Sequence, residues 1–130
     1  MATVLQKGAE RAAVRVTKTF DLPVTATANT DFIFELPAGA VDVNFKTITT
    51  TAYGAATDAT IAIGSAAGGA QYVAATTIKA VGRKAHTLVD AAAAAYASWP
   101  GTFHVRVAQT GTASATGAAK LVAEYSLPTT

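Results

Sequence analysis

The side chains in this sequence that could do chemistry are few and scattered. There are two histidines and no cysteine, so thiolate nucleophiles, disulfides and cysteine-ligated metals are excluded, while the redox compartment stays open. His86 and Asp90 stand four apart and on a helix would share a face suited to a metal. A zinc site needs three or four ligands. No third ligand lies nearby in sequence, and the segment begins like a strand, so a polar surface pair is the favoured reading. His104 alternates with Phe103 and Val105 and therefore points away from their face, as a general base or an interface contact could. Ser98, His104 and Asp58 could be assembled into a hydrolytic trio, but no Gly-x-Ser-x-Gly elbow supports it. The run Gly64-Ser65-Ala66-Ala67-Gly68-Gly69 lacks the Lys-Ser or Lys-Thr end of a phosphate loop and reads as a tight β connection. Asp42, Asn44 and Asp58 do not have calcium-loop spacing. The expectation is a protein that is not an enzyme and takes no cofactor or metal.

Two other groups suit binding. Tyr53, Tyr96 and Trp99 could stack on a sugar ring if exposed; a Trp plugging one end of the core is the alternative. Basic residues fall in two small sets, Lys7, Arg11, Arg15 and Lys18, then Lys79, Arg83 and Lys84. The formal net charge is only +2, although the pI is about 9.0. Nucleic-acid binding needs several clustered cations to neutralise phosphates, so a solvated or partner-facing role is expected instead. The residues singled out for partner binding are Lys7, Glu10, Arg11, Arg15, Lys79, Arg83 and Lys84.

The elements that must position these residues are mostly strands. Charged residues are 14% of the chain and aromatics 8%, so its surface is coated largely by Ala, Thr and Gly. Such a composition suits packing against copies or partners in a rigid assembly. Residues 1–12 show no clean period and read as an N-terminal arm, ordered against a neighbour. Residues 13–130 read as one domain.

Within that domain, period-two alternation marks Ala13 to Phe20, Thr30 to Leu36, Ala40 to Thr51, Ala59 to Gly64, Thr102 to Gln109 and Lys120 to Leu127. Gln71 to Ile78 is ambiguous between strand and helical turn, and Ala85 to Val89 suggests a further short strand. Val81 to Lys84 reads as exposed. Asp90 to Tyr96 is poly-Ala, so a short helix or turn is expected near 90–97. The stretch from Gly111 to Gly117 looks like a hairpin between the last two strands. About seven or eight strands with intervening turns predict an all-β sandwich or jelly roll. No apolar run is long enough to span a bilayer, because Ala91 to Ala97 is short and weakly hydrophobic. The opening residues are not a signal segment.

Three segments carry a resemblance: TATANTDFIFELPAGAVDVNF (Thr25 to Phe45), DATIAIGSAAGGAQYVAATTIKAVG (Asp58 to Gly82) and FHVRVAQTGTASATGAAKLVAEY (Phe103 to Tyr125). Together, over roughly residues 13–127, the chain resembles the small β-sandwich decoration or cement proteins of tailed bacteriophages. The resemblance implies a virion protein, made in the host cytoplasm, on the outer capsid surface. It implies a dimer or trimer that bridges neighbouring major capsid proteins, with no membrane or direct nucleic-acid partner. The alternative is a carbohydrate- or receptor-binding module of a tail or head fibre.

Overall fold

The computed structural model describes residues 3, 5, 13–89 and 98–128. Eight strands run in order: β1 (Ala13–Leu22), β2 (Asn29–Glu35), β3 (Val41–Thr51), β4 (Asp58–Gly64), β5 (Val73–Thr77), β6 (Gly82–His86), β7 (Thr102–Thr110) and β8 (Ala118–Pro128). They form two four-stranded antiparallel sheets, β1-β8-β3-β6 and β2-β7-β4-β5. No helix among the described residues is long and apolar enough to cross a membrane. The expected arm, 1–12, and the expected helix or turn at 90–97 fall outside the described residues, save for Thr3 and Leu5.

The strand order is that of a jelly roll. The pairs β1·β8, β2·β7, β3·β6 and β4·β5 are the rungs of one long antiparallel ribbon, rolled up so that β3 also pairs with β8 and β4 with β7. The ribbon's tip is the Gly-rich connection between β4 and β5. Gly68 there takes a φ of +73°, which favours glycine, and Gly69 N–H donates to Ala66 O at 2.9 Å. The expected hairpin at 111–117 is corrected: β7 and β8 lie in different sheets, so this stretch crosses the sandwich.

Period-two alternation builds the core. Val43, Phe45, Thr47 and Thr49 of β3, Phe103, Val105, Val107 and Gln109 of β7, and Leu121, Ala123 and Tyr125 of β8 are all buried. Trp99 is 1% exposed and packs among Tyr72, Phe45 and Phe103, with ring centroids 4.8, 5.7 and 5.7 Å away. Its indole N–H donates to Gly101 O at 2.8 Å, so the one polar atom of the ring is satisfied. Buried Gln109 is satisfied too. Its amide donates to Thr25 O and Ser114 O, at 2.9 and 3.0 Å, and its Oε1 accepts from Ser114 N–H at 3.0 Å. One side chain thus ties the β1–β2 crossing to the β7–β8 crossing.

Two edge elements differ from expectation. The segment 71–78 resolves to strand β5, and the strand anticipated at 85–89 sits at 82–86 as β6. That shift places His86 opposite Phe45 on the inner face, where it is buried and hydrogen-bonded through Nε2 to Thr47 Oγ1. The surface pair expected of His86 and Asp90 is therefore corrected for His86; Asp90 lies outside the described residues.

Candidate interaction surfaces

The outer face of the β1-β8-β3-β6 sheet is a chain of ion pairs. Lys46 Nζ lies 3.1 Å from Glu124 Oε1, Arg15 Nη1 3.3 Å from Asp42 Oδ2, and Lys120 Nζ 3.6 Å from Asp21 Oδ1. Arg15 also donates to Asp42 O at 2.9 Å and to Ser126 Oγ at 3.2 Å. Asp42 has a φ of +53° at an irregularity in the β3–β8 ladder, a conformation uncommon outside glycine. Arg15, expected to bind a partner, therefore clamps a bulge of its own sheet.

The outer face of the β2-β7-β4-β5 sheet carries fewer ion pairs among the described residues. It presents Ile33 at 67% exposed, together with His104, Ala62, Thr60 and Ala108. One fork crosses it: Arg106 Nε and Nη2 donate to Asp31 Oδ1 and Oδ2 at 2.7 and 2.9 Å. That hydrogen bonding holds the Asp31 carboxyl below its ordinary range, against the opposing effect of desolvation, and raises Arg106 further. The guanidinium also sits against Gly68, where a Cβ would meet Nη1 at 2.6 Å, so the ribbon tip folds close over this pair.

The residues proposed for catalysis do not converge. Asp58 pairs with Thr110 and Gly64 with His104 in the same ladder, which sets Asp58 and His104 about 20 Å apart along the strands. Asp58 Oδ1 is occupied by Ala59 N–H and Thr77 Oγ1, at 2.8 and 2.6 Å. Among the described residues no three His, Cys, Asp or Glu side chains gather as metal ligands. Among the described residues no stacking platform forms: Trp99 and Tyr53 are buried, and Tyr96 lies outside them. Burial raises the Tyr53 hydroxyl above its ordinary pKa, and no partner reaches it among the described residues.

Of the expected partner-binding residues, Lys7, Glu10 and Arg11 lie outside the described residues. Lys79, Arg83 and Lys84 are brought together. They line a hollow of about 200 Å³ with Thr49, Thr77, Ile78, Ala80, Val81 and Gly82, where the two sheets end at β5 and β6. Lys79 Nζ donates to Thr57 O at 3.4 Å, while Arg83 and Lys84 take part in none of the ion pairs among the described residues. Sequence reasoning grouped these three cations by proximity but missed the buried Thr47–His86 pair beside them. Only the strand register places His86 inside.

No protein-family model matches this sequence, and no curated protein is significantly similar to it. A chain of the solved structure "Capsid of Ralstonia phage GP4" is similar over 100% of this chain and 92% of that one, at 21% identity and a TM-score of 0.55. What the two chains share is the fold along its full length.

Proposed function

We propose that this protein is a non-enzymatic structural subunit of a phage virion, decorating the capsid and bridging neighbouring major capsid proteins as a dimer or trimer. The observation that carries this reading is the full-length fold likeness to a chain from a phage capsid. The surfaces support it. One outer face presents Ile33, Thr60, Ala62 and Ala108 beside an Arg106–Asp31 pair whose charges are matched internally, and such a face packs at small desolvation cost. Many identical weak contacts, repeated by symmetry, hold a shell through avidity. Within the folded domain the contacts fall to Lys79, Arg83 and Lys84, because Arg15 is engaged internally. The arm, 1–12, with Lys7, Glu10 and Arg11, lengthens the footprint.

The test is to mix the purified protein with empty capsids assembled from the major capsid protein encoded with it. Negative-stain imaging is expected to show symmetric added density on the outer surface. Bare capsids at saturating protein overturn the reading. Deleting residues 1–12 is expected to lower occupancy without unfolding the domain.

A further inference from the structure

Both sheets end on the same side, at β5 and β6, and among the described residues each of these strands is paired on one side only. Gly82 to Ala85 are exposed, and a Cβ placed on Gly82 would meet nothing within 4 Å. An exposed edge of this kind is a template for another strand. β6 has 5 residues, so an added segment would pair over about 17 Å.

Charge decides which strand fits. Arg15, Lys46, Arg106 and Lys120 all have carboxylate partners, and Lys18 is spent on Glu35 O at 3.1 Å. Lys79, Arg83 and Lys84 have none among the described residues, and no carboxylate lines their hollow. Arg83 stands opposite Ile48 and Lys84 opposite Thr47, so the two project to opposite faces of the sheet. A strand laid beside β6 would meet a cation on each face and the exposed Val81 at its end. The same cations repel other basic strands and would be desolvated without a partner against a neutral one, which makes the edge selective.

We propose that the β6 edge accepts an extended acidic segment of a partner protein as a fifth strand of the β1-β8-β3-β6 sheet, gripped by Lys79, Arg83 and Lys84. This deepens the capsid reading and rests on it for the occupant, a segment of the major capsid protein.

The probe is a blocked peptide, Thr-Val-Glu-Glu-Val-Thr, whose adjacent carboxylates project to opposite faces of a strand, titrated into the isotopically labelled protein. Amide shifts are expected at residues 82–86 and along the hollow, with tenfold or greater weakening in Arg83→Glu/Lys84→Glu and a smaller loss in Arg83→Gln/Lys84→Gln. Thermal midpoints report whether each variant stays folded. N-methylating alternate amides of the peptide should abolish binding in one set and spare the other. Equal binding by both sets, shifts confined to β1 and β2, or tighter binding of duplex DNA to the same residues overturns the proposal. Full capsid occupancy by Arg83→Glu/Lys84→Glu overturns it too and leaves the virion role standing. Peptide binding without capsid binding removes the capsid as occupant and keeps the edge chemistry.

Discussion

The two long edges of this sandwich are finished in opposite ways. At the β1/β2 edge the sheets are sewn together. Phe20 of β1 stacks on Phe34 of β2 at 4.4 Å between ring centroids, Phe32 continues the stack at 5.6 Å, and Lys18 reaches across to Glu35 O. At the β5/β6 edge a hollow remains, rimmed by cations, and the side chain fastening β6 to its sheet is a buried neutral histidine. The difference rests on a handful of side chains. Large apolar rings near an edge close it, whereas small residues and unpaired charge leave it available.

The largest expected effect tests the closed edge. Phe34→Ala should cost about 3 kcal/mol, the low end for truncating a phenylalanine, because the ring is only partly buried. Val81→Ala at the open edge should stay within about 0.5 kcal/mol. Equal losses in urea denaturation would erase the distinction between the edges.

A smaller effect is expected at the fastening of β6. Thr47→Val removes the partner of His86 Nε2, while Nδ1 already has none among the described residues, so a cost of about 1–3 kcal/mol should follow. Burial, helped by the charge of Lys84, lowers the His86 pKa from 6.5. The unfolded chain therefore takes up a proton that the folded one refuses. This contribution to stability is complete above pH 6.5 and is lost as the pH falls from there toward the lowered folded value. Urea midpoints at pH 7.5 and 5.5 should differ in the parent and converge in His86→Gln. A midpoint that rises on acidification contradicts a buried neutral His86.

The smallest effect sharpens the comparison. Lys18→Met loses the ammonium, which lies 5.3 Å from the Phe20 ring centroid and donates to Glu35 O, and should cost about 1 kcal/mol. Faster amide exchange in β1 and β2, with β5 and β6 unchanged, is the expected pattern.

Much of this architecture is legible in the chain because the core strands alternate cleanly. Phe103, Val105 and Val107, or Leu121, Ala123 and Tyr125, name their buried face without coordinates. The edges are not legible. Gly82-Arg83-Lys84-Ala85-His86 has no apolar alternation, since four of its five residues face water, and its register comes from β3. The crossing at 111–117 looks like a hairpin because Gly, Thr and Ser suit any reversal. Local turn chemistry does not encode which sheet the next strand enters. The cation cluster is visible as Lys79, Arg83 and Lys84. That these cations have no carboxylate partner among the described residues, while Arg15 is clamped on Asp42, follows only from the fold.

The rolled ribbon also sets an order of events during synthesis. β1 is made first, yet its ladder partner throughout is β8, with Ala13 aligned to Pro128. While the chain is still on the ribosome, β1 must wait, unpaired, until β8 has emerged. Contacts so distant in sequence close slowly and leave sticky backbone waiting. Thr17, Lys18 and Thr19 set polar and charged side chains among the apolar ones of that waiting strand, which lowers its tendency to pair with other unfolded chains.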